Sequence, residues 1–373
     1  MMRRFVLIGM LLLPLLMLAG CSGRNREDVP QLQVYIHIPQ TTLTRADEGS
    51  VPSEMLAENR IETLQIWVFL HEECAGLPAG TCLGYLAPTN LMISDGVLNQ
   101  YGMPLNPAVA DAHPDVDVYV LANAASAGHP YLGETTTRAT LDALVMDGSV
   151  FGVSSTGPTC SGVPESGLPF AGVGKGMHMR GSYPVLSLDV VTLKRAVSKL
   201  RFVFSQLVDE EEPLTDCAVT RILIDGSKIA TAEYLFNDSD DPYKIVPNLY
   251  ETASMALPGL TAAQIAGNTD PEKYAFEEQT AREYEALIQQ GITDGELTSC
   301  GLSYLRETDR QLEGTVEYML NGMPGSARFT MKDPGDFARN HSWIVYFYFT
   351  RDAIRFTVSW TPWETGHDFY LTD

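Results

Sequence analysis

Apolar and polar side chains alternate one by one along short stretches of this chain, and that period of two restricts most of it to β-structure. Leu32, Val34, Ile36 and Ile38 alternate with Gln33, Tyr35 and His37, the spacing that gives a strand one apolar face. Within residues 61–70, Ile66, Val68 and Leu70 alternate with Trp67 and Phe69, and residues 116–121 and 185–191 have the same β-prone character. Further strands are expected at 218–224, 234–236, 314–320 and 327–331. The last is a hairpin, 343–349 with 354–360, whose second arm points Ile354, Phe356, Val358 and Trp360 one way and Arg355, Thr357 and Ser359 the other. One helix is expected over 270–291, capped by Asp270, opened by Pro271 and ended by Gly291. Many short strands, frequent turn signals and little helix predict a mainly β fold built from β-sandwiches.

At 373 residues the chain suits two domains, expected at 31–191 and 192–373. Residues 147–182 are rich in Gly, Ser and Pro and read as irregular, with Gly172-Val173-Gly174-Lys175-Gly176 as a flexible loop. The boundary is placed before a basic run, in which Lys194, Arg195, Lys199 and Arg201 stand among Val197, Leu200, Phe202 and Phe204. This run is expected to be a long, twisted inter-domain strand with solvated charges.

Residues 1–20 read as an export signal. Arg3 and Arg4 precede an apolar run broken by Gly9 and Pro14 and shorter than the ~20 residues that span a bilayer. It ends in Leu18-Ala19-Gly20-Cys21, the lipobox pattern in which a cysteine is acylated before cleavage. Two or three acyl chains on Cys21 would hold the protein at a membrane, where one alone is marginal. Residues 21–30 then form a lipidated tether. The formal net charge of −22 grows more negative on loss of Arg3 and Arg4, which excludes nucleic acid as a partner. Of the remaining five cysteines, Cys74 and Cys82 flank a short loop and form the candidate disulfide.

No catalytic residue is assigned. Gly172–Gly176 lacks the spacing of a phosphate loop, His71-Glu72-Glu73 lacks the second histidine of a zinc protease, and no Cys/His cluster has metal-binding spacing. Neither metal nor cofactor is expected. Asn237-Asp238-Ser239-Asp240-Asp241 reads as a solvated turn. Trp363, Tyr346 and Tyr348 are candidates for glycan contact or, more simply, for packing.

With the lipobox, several segments together resemble the FimA-like fimbrillin superfamily of Bacteroidales, the subunits of type V pili. They are Thr44-Arg45-Ala46, residues 61–69, Val118-Tyr119-Val120-Leu121-Ala122-Asn123-Ala124, Leu168-Pro169-Phe170-Ala171-Gly172, residues 195–202 and the hairpin that begins at Arg339-Asn340-His341-Ser342-Trp343. The resemblance implies two transthyretin-like β-sandwiches. It implies a precursor that reaches the cell outer membrane as a lipoprotein, is cut by an arginine-specific surface protease and polymerises with other fimbrial subunits by strand exchange. Arg45 and Ala46 match the cleavage site. Leu32, Val34, Ile36 and Ile38 would be the displaced strand, and Ile354, Phe356, Val358 and Trp360 the donor. Host protein or glycan is a further partner. This scheme expects residues 32–38 at a removable edge, with Pro39 ending the strand; a place inside a sheet argues against it. The alternative is an uncleaved, lipid-anchored surface β-sandwich that binds glycan.

Overall fold

The computed structural model describes residues 29–38, 57–89, 91, 99–146, 150–154, 157–206, 216–236, 245–266, 299–331, 337–349 and 353–362. The expected helix at 270–291 lies outside them, as do Cys21, Pro39, Arg45, Ala46, residues 237–241 and Trp363. The fold is mainly β. In the first half the strands are β1 (Gln31–His37), β2 (Leu64–Leu70), β3 (Cys82–Leu86), β4 (Asn99–Pro104), β5 (Asp115–Ala122), β6 (Val145–Met146), β7 (Val153–Ser154), β8 (Gly157–Pro158), β9 (Phe170–His178), β10 (Arg180–Ser182), β11 (Val185–Thr192) and β12 (Lys194–Arg195). In the second they are β13 (Ser198–Gln206), β14 (Cys217–Ile224), β15 (Glu233–Tyr234), β16 (Met255–Leu260), β17 (Ser299–Leu305), β18 (Glu313–Leu320), β19 (Met323–Thr330), β20 (His341–Phe349) and β21 (Ile354–Pro362). Short helices α1 (Pro107–Ala112), α2 (Arg138–Asp142) and α3 (Ala262–Ala266) accompany them.

Four sheets carry the fold, ordered β10-β11-β1-β4, β12-β9-β5-β2-β3, β17-β13-β20-β21 and β16-β14-β18-β19. The first two share one apolar core, in which the even-numbered residues of β1 meet Leu64, Ile66, Val68 and Val120; the last two share another around Leu200, Phe202, Ile222, Val316 and Phe347. The two pairs of sheets repeat one topology. Reading β21-β20-β13-β17 against β10-β11-β1-β4 puts β13 in the place of β1: each lies between a parallel partner, β20 or β11, and an antiparallel one, β17 or β4.

The outer face of the sheet holding β2 and β5 is also buried, because residues 131–146 fold across it. The Trp67 indole donates to Gly133 O at 2.9 Å and the Tyr119 hydroxyl to Asp142 at 2.6 Å. Phe236, from the second half, packs edge-on to Tyr119. Such a sheet reads as a nearly unbroken apolar run, which is what residues 64–70 show.

Two expectations are corrected. Residues 170–178 form a strand, β9, within a five-stranded sheet, so Gly172–Gly176 is no flexible loop. Its glycines serve close approach: a Cβ on Gly172 would lie 2.6 Å from Thr192 O. Of the basic run only Lys194 is solvated. Arg195, Lys199 and Arg201 are each no more than 3% exposed. The run is also not one strand, since β12 pairs with β9 in the first half while β13 pairs in the second. The chain crosses between them at Ala196 and Val197, both buried.

At this crossing the charges find partners instead of water. Lys199 Nζ lies 2.9 Å from Glu58 Oε1, which also accepts from the Tyr304 hydroxyl at 2.6 Å. Arg195 donates to Glu58 O and Asn59 and stacks over the Phe170 ring. Nearby, Arg339 lies 2.9 Å from Glu307 and 3.5 Å from Glu233, and Arg306 donates to Ala230 O, Val150 O and Glu251. Buried charges persist only when paired and hydrogen-bonded, and these cross-links bind Glu58 and Val150 of the first half to the second.

Candidate assembly site

Alternation in β1 buries Leu32, Val34 and Ile36 completely, and Ile38 follows at 2% exposure. Burying four such side chains contributes on the order of 6–12 kcal/mol, comparable to the net stability of a whole domain. The backbone is satisfied on both sides. β1 runs parallel to β11, from Gln31 opposite Val185 to His37 opposite Thr192, and antiparallel to β4, from Gln31 opposite Pro104 to Ile36 opposite Asn99. A register shift between Gln33 and Tyr35 bulges the β11 side. The ends are fastened too, with Gln31 N donating to Pro184 O and Leu193 N to His37 O.

The edge place expected for this strand is therefore overturned, and with it the scheme in which cleavage alone lets an edge segment fall away. Pro39 comes one residue after Ile38 and so leaves both ladders of β1 intact. If β1 left, the unpaired backbone groups of β11 and β4 and the emptied apolar floor would all face water, each at a cost.

The candidate donor occupies the opposite kind of place. Among the described residues β21 pairs only with β20, from Phe349 opposite Ile354 to His341 opposite Pro362, and forms the edge of its sheet. By register Val358 is opposite Val345 and Trp360 opposite Trp343, both buried residues of β20. Ile354 is buried, while Phe356 is 39% exposed beside Phe347. Tyr346 and Tyr348 fall on the alternate positions of β20.

The cysteine expectation is also corrected. Cys74 and Cys82 are free thiols in this structure. Cys74 closes a tight turn through reciprocal bonds with Leu77, while Cys82 opens β3 opposite Phe69 and points its thiol to Gly84 O. Burial raises the thiols of Cys160 and Cys217 to about 11, which keeps both protonated and unreactive at neutral pH. Acid–base groups that do cluster are locked into the fold. Asp117 is buried and holds Arg138 at 2.7 Å, the Gly176 amide at 3.0 Å and His71 Nδ1 at 2.7 Å.

No protein-family model matches this sequence, and no curated protein does. Among solved structures, the tip fimbrial protein Mfa3 of Porphyromonas gingivalis, C-terminally truncated, is similar at 12% identity and a TM-score of 0.48, over 90% of this chain and 100% of that one. A fimbrial assembly protein of Parabacteroides distasonis is similar at 13% identity and a TM-score of 0.46, over 88% and 94%. A fimbrilin of P. gingivalis follows at 12% and 0.43, over 90% and 98%. The structural neighbours of this chain are Bacteroidales fimbrial proteins. At these identities and scores the likeness is distant.

Sequence reasoning missed one residue that organises this end of the molecule. Asn123 is buried with φ +56°, and its side chain holds four backbone groups. It donates to Arg60 O at 2.9 Å and Leu168 O at 2.7 Å and accepts from Glu62 N at 2.8 Å and Thr63 N at 3.3 Å. Three of the segments that carry the family resemblance, 61–69, 118–124 and 168–172, thus meet at this amide. The available signal was an asparagine directly after a strand, a residue type that tolerates the left-handed region.

Proposed function

We propose that this chain is a non-enzymatic structural or adhesive subunit of a cell-surface fimbria, carried to the outer membrane as a lipoprotein on Cys21. It folds as two β-sandwich domains that meet at Ala196, matures by cleavage after Arg45, and joins other fimbrial subunits by exchange of β1 for a neighbour's strand. The observation that carries the exchange is the contrast between its two ends. β1 fills a slot with partners on both sides, and β21 is an edge strand with one partner. A donor leaving an edge gives up one ladder, whereas an acceptor lacking β1 has two to regain. Filling a slot that β1 has left is then favourable at every joint. Cutting the connection is not enough to empty the slot; a replacement strand has to enter as β1 leaves.

The interior place of β1 counts against exchange and favours a second reading, in which the strand is permanent and the protein stays on the membrane as an uncleaved, lipid-anchored surface protein that binds host glycan or protein. One experiment separates them. The precursor is nicked with trypsin and incubated with a labelled peptide spanning residues 353–362. Exchange predicts that the amino-terminal fragment stays bound after nicking, is released on adding peptide, and that nicked protein incubated without peptide forms ladders on native gels that the peptide suppresses. A fragment that peptide never displaces, with no ladder, would refute exchange and leave the retained-strand reading.

A further inference from the structure

The connection from β1 to β2 contains two basic residues, Arg45 and Arg60, so an arginine-directed protease has two bonds to choose between. The choice matters. A cut after Arg60 would sever Glu58 and Asn59 from the body, and with them the partners of Lys199, Tyr304 and Arg195 at the crossing. The Arg60 side chain is 40% exposed, so burial alone does not withhold it. What is withheld is the backbone around it.

We propose that Asn123 is a clasp that keeps the Arg60–Ile61 bond from arginine-directed cleavage, so that trimming of the amino-terminal segment stops upstream of Glu58. A protease must draw several residues on each side of the bond into an extended strand. Here the carbonyl of the scissile bond is held by Asn123 Nδ2, and the two amides beyond Ile61 are held by its Oδ1. Ile61 is in the core, and on the other side Glu58 is fixed by Lys199 and Tyr304. The guanidinium of Arg60 is itself engaged by Pro164 O at 2.9 Å, by Glu165 O and by Glu62 at 3.1 Å. Gly167, at φ +77°, closes the clasp. A Cβ there would come 2.5 Å from Arg60 O and 2.3 Å from Asn123 Nδ2. Extending the bond for attack requires these contacts to open together, and cleavage of such a site follows the population of the open form.

The proposal uses the maturation scheme above for its biological meaning, and the test keeps the two apart. Full-length precursor is digested with trypsin and the new amino termini are sequenced over time, for wild type, Arg45→Gln and Asn123→Gly. Glycine accepts the left-handed backbone at 123 without strain and removes all four side-chain bonds. Wild type should yield Ala46 as the new terminus and no Ile61, and Arg45→Gln should also resist at Arg60. In Asn123→Gly, which loses all four bonds, a terminus at Ile61 should appear at least roughly tenfold faster. Wild type cut at Arg60 as readily as at Arg45, or an unchanged rate in Asn123→Gly, would overturn the clasp. Resistance at both arginines would instead refute maturation while the clasp stands. Hydrogen exchange of wild type gives a readout independent of the variant's folding: the Glu62 and Thr63 amides should be protected, and free exchange at both would refute the proposal.

Discussion

Two buried carboxylates, Glu233 and Glu307, share Arg339, and this cation, with Arg306 farther off, does not offset the burial of Glu233. Burial pushes the Glu233 carboxyl up to about 8, with the nearby Glu307 charge adding to it and Arg339 opposing both. An unfolded glutamate titrates near ~4.3, so between that value and about 8 the folded protein keeps a proton that the unfolded chain releases. The resulting stability is present in full below the unfolded value and is lost as pH rises through the folded one. Thermal unfolding should therefore show wild type weakening between pH 5 and 9. Glu233→Gln, which carries no ionisable group, should flatten that slope and melt higher than wild type above pH 8. A parallel decline in both would contradict the assignment. None of this was legible beforehand: an acid and an arginine more than a hundred positions apart give no local pattern, and periodicity reports only which face a residue takes.

Strands were the most readable level, because a buried face imposes alternation whatever its neighbours. β1, β2, β5, β11, β14, β18, β20 and β21 all lie where alternation or β-prone composition placed them. β9 escaped because glycine usually marks a break, whereas here Gly172 lets one backbone pass within contact of another. Gly172→Ala should therefore cost about 1–3 kcal/mol, seen as a lower denaturant midpoint at unchanged slope. Gly133→Ala, where an added methyl meets nothing within 4 Å, is the control and should stay close to wild type. The misjudged place of β1 has a different cause. Alternation identifies the buried face but not how many strands flank it, so edge and interior look alike in sequence. The cysteines misled in a similar way, since closeness along the chain places two residues near one turn without aiming their thiols at each other.

The repeated topology of the two halves left no trace as a sequence repeat, because many side-chain sets fill the same sandwich. Part of what joins the halves is polar, and it was read as solvated because charge runs usually are. Removing one partner of a buried pair costs about 3–5 kcal/mol. Lys199→Met should therefore leave Glu58 uncompensated and split unfolding into two calorimetric transitions, one for each core; a single transition at the wild-type temperature would show that the pair does not couple them. The mixed pairing of β1 has a consequence of its own. On its β11 flank the hydrogen bonds are slanted and evenly spaced, and on its β4 flank they come in close and wide pairs. A peptide laid in the opposite sense would meet each rail with the other's spacing, and the bulge beside Tyr35 would fall on the wrong register. The groove is thus a one-way track that reads the heading of whatever enters it, and successive molecules threaded through it would all point the same way.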